Sequence, residues 1–425
     1  MTPEIEKRIK AVQAGRIPAG YKRTKVGIVP KEWNVQSFGE ISFKTGRKKK
    51  KEEDYPVYSI NNQKGFCSQA EQFENDGYAN TSKDSYTLVE KDTFAYNPAR
   101  INIGSIGLLK EPDRVIISSL YVCFGLNKNC NLSFFESYFK SHRFNYDVSN
   151  YTEGSVRQYL FYDNFSKINV AIPPLSEQKK IAEILATQDR VIELKEKLIA
   201  EKQSQKKYLM SVLLGDDFKK PFKLNGVTID KKKWEKKKIG EVCDNYTGLT
   251  YAPEDVSSKG VLVLRSSNIQ NGRLCFDDNV YVDMEIPARS KVKISDILVC
   301  VRNGSRSLIG KSAIITKEAE NAAFGAFMTV LRSKNVDQLF LFYIWQSNYI
   351  QKQIKVLMGA LINQITSFDI QHLHFSCPTP PEQKAIADVL SAADEEISLL
   401  QKDLEQEKLK KKSLMQLLLT GLVRV

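Results

Sequence analysis

The sequence has few of the residues that usually build metal sites or disulfide frameworks. It contains three histidines and seven cysteines, and the cysteines show no Cys-x-x-Cys spacing. A disulfide framework is also unexpected in a chain of this length with so few cysteines. We therefore predict no bound metal and reduced thiols, of which Cys123, Cys275 and Cys300 lie among apolar, strand-like residues.

Long hydrophobic runs are missing as well. The longest, from Val115 to Leu126, has about twelve residues and is interrupted by serines, well short of the ~20 residues that cross a bilayer. The start, MTPEIEKRIK, has no signal-peptide core. Because 42% of the 425 residues are hydrophobic, an ordinary share for a globular protein, we expect a cytoplasmic protein of two or three domains without a membrane partner. Disorder is expected only in roughly the first 20 residues.

Motifs that would indicate catalysis are also lacking. The string GKS at 310–312 resembles the end of a Walker loop, but Ser305 stands where the leading glycine belongs. The string NPAR at 97–100 lacks the second proline and the aromatic residue of an amino-methyltransferase motif, and we interpret it as a turn. The sequence therefore predicts that the chain is not itself an enzyme.

What the chain does contain is a second copy of part of itself. The segment from Gly154 to Leu214 returns without a gap as Gly359 to Leu419, displaced by 205 positions (383 minus 178, from a matched glutamine pair). A proline cluster opens each copy and a glycine follows each, as expected where a helix starts and ends. The repeat continues more faintly upstream, where Trp33 matches Trp234 at an offset of 201 (234 minus 33).

Apolar residues in both copies recur at alternating spacings of four and three, which predicts a coiled-coil seam. Each helix should span about 50 to 55 Å at 1.5 Å per residue, and the two copies can pair antiparallel within one chain. Seam residues that we predict to lie at the subunit interface are Ile181, Leu185, Ile192, Ile386, Leu390, Ile397 and Leu404. The first copy also places polar residues on its seam, namely Gln188, Lys195, Lys202 and Lys206. A second apolar stripe indicates that this helix is covered on more than one side and consists of Ile184, Val191, Leu194, Leu198, Tyr208 and Val212.

A block of about 150 strand-like residues, the size of one domain, precedes each helix. We therefore predict an α+β fold in which two globular mixed α/β domains, related by a pseudo-two-fold axis, are joined by two long antiparallel coiled-coil helices. The predicted boundaries are 1–20 for an N-terminal extension, 21–172 for the first domain, 173–215 for a central helical spacer, 216–377 for the second domain and 378–425 for a C-terminal helical spacer.

The net charge of +13 indicates an anionic partner, and duplex DNA is the one that this excess favours. Basic residues concentrate in runs such as the one that begins with Arg47 and Lys48. Taken alone, a single basic run is more typical of a solvated face, and it is the excess over the whole chain that favours nucleic acid.

Polar loops with glycine supply the remaining candidates for DNA contact. Arginine can pair with guanine, and asparagine or glutamine with adenine, while glycine lets the backbone approach a ligand. The alternative is that asparagine and glycine only shape turns in these loops. The predicted DNA-binding residues are Arg47, Lys48, Arg100, Asn102, Ser105, Arg157, Gln158, Arg302, Asn303, Ser305, Arg306, Asn363 and Gln364.

Over nearly its whole length the chain resembles the specificity subunits of type I restriction-modification systems. The most specific elements are the two helix starts, PPLSEQKKIAEIL and TPPEQKAIADVL, together with the strings FAYNPARINIGSIG and ILVCVRNGSRSLIGKSAII. The resemblance implies that the two blocks are target-recognition domains, each reading one half of a split sequence in double-stranded DNA. It also implies that the two helices dock two methyltransferase subunits.

In that family, restriction and translocase subunits complete the complex. The resemblance therefore implies that adenine N6-methylation and DNA cleavage occur on partner chains. S-adenosylmethionine, ATP and Mg²⁺ would bind those partners, and no cofactor is expected in this chain.

Two other functions stay open at this stage. A coiled-coil scaffold that binds only proteins would show no salt-dependent binding to DNA. A fused methyltransferase-nuclease with an internal specificity half would need a further domain, for which 425 residues already filled by the duplication leave no room.

Overall fold

The computed structural model describes residues 2–69, 85–154, 158–215, 220–358 and 363–425. The chain divides into two compact units, of which unit 1 comprises residues 1–195 with 403–425 and unit 2 comprises residues 196–402. Each unit therefore contains one strand-rich block and one half of each long helix. The domain boundaries predicted from the sequence stay a prediction, since this division cuts both helices near their middles.

The two long helices have 40 residues each, about 60 Å at 1.5 Å per residue, slightly more than predicted. The short helix at the N-terminus lies within the first 20 residues, for which disorder was expected. The helices of the described residues are α1 (Pro3–Gln13), α2 (Phe38–Ile41), α3 (Leu132–Tyr138), α4 (His142–Tyr151), α5 (Tyr162–Phe165), α6 (Leu175–Leu214), α7 (Ile239–Val242), α8 (Gln338–Gln346), α9 (Asn348–Leu357), α10 (Ser367–His372) and α11 (Pro380–Leu419).

The block of unit 1 is built from small antiparallel sheets. Its strands are β1 (Tyr21–Thr24), β2 (Gly27–Pro30), β3 (Asn34–Ser37), β4 (Ser42–Lys44), β5 (Arg47–Lys48), β6 (Tyr58–Asn61), β7 (Gly65–Ser68), β8 (Thr87–Glu90), β9 (Phe94–Tyr96), β10 (Ile106–Leu108), β11 (Arg114–Ile117), β12 (Val122–Leu126) and β13 (Asn169–Ile172). The largest sheet has the order β10-β9-β12-β4, and a second has the order β11-β8-β5. Aromatic rings fill the core beside the larger sheet, where Phe38 stacks on Phe165 with ring centroids 4.6 Å apart.

Unit 2 has a similar composition of sheets and short helices. Its strands are β14 (Phe222–Leu224), β15 (Val227–Ile229), β16 (Glu235–Lys238), β17 (Cys243–Thr247), β18 (Val256–Ser257), β19 (Val261–Leu264), β20 (Ile269–Gln270), β21 (Arg273–Leu274), β22 (Val280–Val282), β23 (Ile297–Cys300), β24 (Ser312–Ile314), β25 (Ala323–Phe324), β26 (Met328–Ser333) and β27 (His374–Cys377). The main sheets have the orders β17-β26-β23-β24 and β18-β22-β19-β25. The pairing of β19 with β25 is parallel. The hydrophobic helix α8 packs into this core and buries Trp345 completely.

The repeated Trp and Glu residues attach each long helix to its own block. In unit 1 the indole Nε1 of Trp33 donates to Glu177 Oε2 at 3.0 Å, and in unit 2 that of Trp234 donates to Glu382 Oε1 at 3.2 Å. Burial disfavours the Glu382 carboxylate, but hydrogen bonds from the backbone of Asp230, from Thr379 and from Trp234 outweigh it and lower its pKa. The first turn of each helix is thus fixed by a buried, hydrogen-bonded carboxylate.

The neighbouring glutamine of the repeat joins the helix start to a second element. In unit 1 Gln178 accepts from the backbone N–H of Asn131 at 2.7 Å and donates to the carbonyl of Pro173 at 2.9 Å. In unit 2 Gln383 accepts from the backbone N–H of Asp337 at 2.8 Å and donates to the carbonyl of Pro378 at 2.8 Å. The Glu-Gln pair is therefore repeated because it performs the same attachment twice.

Within each unit, the two helix segments run antiparallel. In unit 1 Gln188 Nε2 donates to Glu407 Oε2 at 2.7 Å, while further along α6 Lys195 pairs with Asp403. In unit 2 Lys202 pairs with Glu396 at 2.6 Å. Positions rise along one helix as they fall along the other, which confirms antiparallel pairing.

The polar residues on the seam of α6 pair with acidic residues of α11. Gln188 and the three lysines of that seam each meet an acidic side chain on α11, the last pair being Lys206 and Asp394 at 2.7 Å. Polar pairs on a seam contribute modest stability but favour one register over others.

Candidate nucleic-acid interface

In unit 2 the structure brings two of the polar loops from the sequence together. After β23 ends at Cys300, the backbone of Arg302 forms an antiparallel bridge with Gln364. The N–H of Asn303 donates to the carbonyl of Asn363 at 3.3 Å, and the amide Nδ2 of Asn363 donates to the carbonyl of Gly304 at 2.9 Å. We call this surface, formed by Arg302, Asn303, Ser305, Asn363 and Gln364, the unit-2 patch.

The side chains of this loop differ in how free they are to contact a ligand. Arg302 is exposed, and its guanidinium lies over the ring of Phe327, 5.0 Å from the centroid. Asn303 holds the turn instead, because its Oδ1 accepts from Ser305 N at 2.9 Å and its Nδ2 donates to Ser266 Oγ at 3.0 Å. The patch therefore presents Arg302 on a loop that Asn303 shapes.

Arg306 has a structural contact that the sequence did not suggest. Its Nη2 donates to the carbonyl of Met358 at 2.7 Å and to that of Lys355 at 3.3 Å. These carbonyls lie at the C-terminal end of α9, where a cation is favourable. Because Nη2 of Arg306 is hydrogen-bonded to the helix end, this arginine is less available for contact with DNA than Arg302.

Unit 1 joins its corresponding loops in the same way. The N–H of Leu160 donates to the carbonyl of Pro98 at 3.0 Å, as the N–H of Ile365 donates to the carbonyl of Val301 at 2.9 Å in unit 2. Arg100, Asn102 and Gln158 are exposed beside this junction and form the unit-1 patch. Arg157 lies outside the described residues.

Ser105 requires a correction to its expected role. Its side chain is 2% exposed, and its hydroxyl donates to the carbonyl of Ile60 at 2.9 Å. The strand that contains Ile60 is distant in the sequence but packs against this loop, and the Ser105 hydroxyl forms a hydrogen bond between them. Because this hydroxyl is buried and already hydrogen-bonded, Ser105 does not reach DNA and is not part of the interface.

Arg47 and Lys48 lie together on β5, at the edge of the three-stranded sheet. The guanidinium of Arg47 pairs with Glu53, with 2.8 Å between Nη1 and Oε2. This contact and the backbone N–H of Lys50 lower the pKa of Glu53 to about 2, so the acid stays ionised at neutral pH. Arg47 therefore has a partly neutralised charge, whereas Lys48 is exposed beside it.

The seam residues predicted for the subunit interface lie in the interior of the chain itself. Ile181 and Leu185 are at most 1% exposed in the core of unit 1, and Ile386 and Leu390 are fully buried in the core of unit 2. Ile397 and Leu404 are also buried, and Ile192 is half-buried. The reason is that each half-helix packs against its own block as well as against the other helix. Contact of these side chains with a partner subunit is therefore not supported.

Other apolar side chains on the same helices remain exposed. Leu194 is 49% exposed and Leu198 is 38% exposed, and both belong to the second stripe of the first copy. We call the exposed set the outer stripe, which has Leu194 and Leu409 in unit 1 and Leu198, Tyr208 and Leu399 in unit 2. The sequence predicted that the second stripe is covered, and this prediction is wrong for Leu194, Leu198 and Tyr208.

Cysteine thiols, possible metal ligands and possible membrane-spanning helices complete the description of the site. Burial raises the pKa of Cys123 to about 12 and that of Cys300 to about 11, so both thiols are protonated at neutral pH. Within the described ranges no three His, Cys, Asp or Glu side chains come together as a metal-binding group. None of the helices searched in those ranges is long and apolar enough to span a membrane.

The chain belongs to the family of type I restriction modification DNA specificity domains, since the family model matches residues 30–202 and 231–409. Each match covers one strand-rich block and most of the long helix that follows it.

Relatives of known type are similar over almost the whole chain or over little more than a third of it. The MjaVIII specificity subunit of Methanocaldococcus jannaschii is 27% identical over 93% of this chain and 94% of its own length. The EcoKI specificity subunit of Escherichia coli K12 is 33% identical over 37% of this chain and 35% of its own.

Solved structures share the fold. One, from work on complex assembly and conformational transition of the type I R-M system, has a TM-score of 0.61 at 14% identity, covering 93% of this chain and 99% of that one. The type I restriction-modification S subunit from M. genitalium has a TM-score of 0.54 at 14% identity, covering 91% and 96%. At this level of identity the likeness concerns the fold alone.

Proposed function

We propose that this chain is the DNA-reading subunit of a type I restriction-modification complex, in which each unit reads one half of a bipartite target in double-stranded DNA. The observation that carries the proposal is the repeated junction of polar loops. In both units, a corresponding backbone hydrogen bond joins the loop after a buried strand to a second loop, which is followed by one short helix, one strand and then the long helix. Each unit thus presents one patch on an otherwise similar frame.

The chemistry of the patches supports DNA as the ligand. Arg302 in unit 2 and Arg100 in unit 1 are exposed cations beside polar amide side chains. Guanidinium and amide groups can bind phosphates and base edges, and the net charge of +13 favours approach to a polyanion. The side chains of the two patches differ, which is what two dissimilar half-sites require.

We further propose that the outer stripe docks two methyltransferase subunits. Half-exposed leucines on long helices, such as Leu194 and Leu198, are suited to pack against a partner helix. Adenine N6-methylation would then occur on those subunits with S-adenosylmethionine, and cleavage on restriction and translocase subunits with ATP and Mg²⁺. This chain would contribute recognition without catalysis or a cofactor, in the cytoplasm where the DNA lies.

The test is binding of duplex DNA by the purified complex over a series of salt concentrations. We expect affinity to fall steeply with salt while a preference for the target sequence remains. Binding that does not respond to salt would favour a scaffold that contacts only proteins.

Methyl transfer separates the roles of the subunits. The isolated chain should transfer no methyl group, and the complex with its methyltransferase subunits should methylate adenine. Activity from the isolated chain would contradict the assignment.

A further inference from the structure

A cleft of about 580 Å³ opens in unit 2 and is not part of any surface that the sequence singled out. Its apolar wall includes Tyr251 and Phe327, and its polar lining includes Arg265 and Asp278. Phe327 is 54% exposed although it is large and apolar. An aromatic wall next to a guanidinium is a combination that can hold a planar, hydrogen-bonding group.

This cleft adjoins the unit-2 patch. Ser266, which lines it, accepts a hydrogen bond from Asn303 Nδ2 at 3.0 Å. Phe327 supports Arg302 through its ring and accepts the backbone N–H of Arg302 at 3.2 Å. A ligand that touches the patch therefore has the cleft directly beside it.

The guanidinium of Arg265 is held at one corner only. Its Nη2 donates to Asp278 Oδ2 at 2.9 Å and reaches the carbonyl of Asp278 at 3.4 Å. Its Nε is buried and has no acceptor among the described residues, so Asp278 is what holds the guanidinium in place.

A fully buried side chain fixes this geometry. The amide of Asn268 is 0% exposed, accepts the backbone N–H of Arg265 at 2.9 Å and donates to the carbonyl of Asp278 at 3.3 Å. Asn268 thus joins the two backbones that carry the ion pair, so the guanidinium is positioned before any ligand arrives.

Another arginine of the same unit shows what a purely structural pair looks like. Arg332 donates through Nε and Nη2 to both oxygens of Asp296, at 2.8 and 2.6 Å. Asp296 is 3% exposed, and this edge of the guanidinium is satisfied internally. Arg265 differs because only its Nη2 reaches a carboxylate and because it lines the cleft.

We propose that Arg265 is a specificity-determining residue of unit 2, which donates to the acceptor edge of a guanine, and that Asp278 is its positioning residue. Guanine presents the acceptors O6 and N7 side by side in the major groove, and arginine is a common partner of that edge. A phosphate is disfavoured because the carboxylate of Asp278 neutralises the guanidinium and repels a second anion. This inference rests on the proposed function.

The experiment selects duplex DNA of random sequence with the full chain in complex with its methyltransferase subunits and sequences the bound fraction. Arg265→Lys keeps the charge but loses the planar fork. We expect preference for guanine at one position of one half-site to fall by about 5- to 150-fold, while the other half-site stays unchanged. Asp278→Asn, which keeps the shape of the side chain, should weaken preference at that same position.

Arg332→Lys is the matched control and should select the wild-type sequence, because its guanidinium faces Asp296 instead of the cleft. The inference is overturned if Arg265→Lys and Asp278→Asn select the wild-type sequence, or if their effects spread over both half-sites. A wild-type complex that selects no sequence would defeat the proposed function, and the role of Arg265 with it.

Discussion

Asp189 and Asp394 occupy equivalent positions in the two copies of the long helix, yet the structure predicts different consequences for their removal. Asp394 accepts from Lys206 Nζ with both oxygens at 2.7 Å and from the hydroxyl of Tyr343 at 2.9 Å. Asp189 pairs with Lys411 alone among the described residues. The side chain of Asp394 is 27% exposed, and that of Asp189 is 53% exposed.

The expected loss of unfolding free energy depends on how deeply each aspartate and its lysine partner are buried. Asp394→Ala leaves the ammonium of Lys206, which is 16% exposed, without its counter-ion and leaves the Tyr343 hydroxyl without an acceptor. Breaking a fully buried pair costs about 3 to 5 kcal/mol, so partial exposure reduces our expectation to about 2 to 3 kcal/mol. Asp189→Ala should cost about 0 to 1 kcal/mol, as surface pairs do.

Urea unfolding measures the free energy of each variant, and hydrogen exchange shows which helix segments lose protection. For Asp394→Ala, protection should fall in 196–214 and 380–402, the segments that belong to unit 2. Tyr343→Phe is the control that removes only the hydroxyl and should cost about 1 kcal/mol. Equal losses for the two aspartates, or a larger loss for Asp189→Ala, would refute the reasoning.

Three further predictions concern the helix start, the unit-2 patch and the outer stripe. Since the pKa of Glu382 is lowered in the folded chain, its stabilising effect should be present above the ordinary glutamate pKa and disappear as pH falls through the lowered value. Glu382→Gln should flatten this acid dependence of the unfolding free energy, and an unchanged dependence would contradict it. Arg302→Ala should weaken binding to target DNA by about 1 to 3 kcal/mol, as measured by titration. If affinity and target sequence are unchanged, the loop only forms a turn and does not contact DNA. Leu194→Asp should weaken assembly with the methyltransferase subunits in sedimentation, whereas Val256→Asp, at a similarly exposed strand residue, should not.

Much of the helical architecture could be predicted from the sequence, because helical contacts are periodic along the chain. The two long helices begin beside the predicted prolines and end beside Gly215 and Gly421. The sequence placed four polar residues on the seam of the first copy, but it did not show that four acids on α11 pair with them.

The blocks were less predictable because their contacts join distant residues. The burial of Ser105 depends on Ile60, and the attachment of Glu177 depends on Trp33, neither of which a local pattern reveals. The same applies to the pairing of Arg265 with Asp278, whose backbones are joined by the buried amide of Asn268. The direction of the apolar stripes also needed the structure, because either stripe could have faced the blocks.

The sequence selected from random duplex DNA by the wild-type complex tests the central claim most directly. Two patches on two units predict a motif of two short, different blocks of specified bases, separated by a spacer of unspecified bases and constant length. A single uninterrupted motif, or DNA binding without any preferred sequence, would contradict the account.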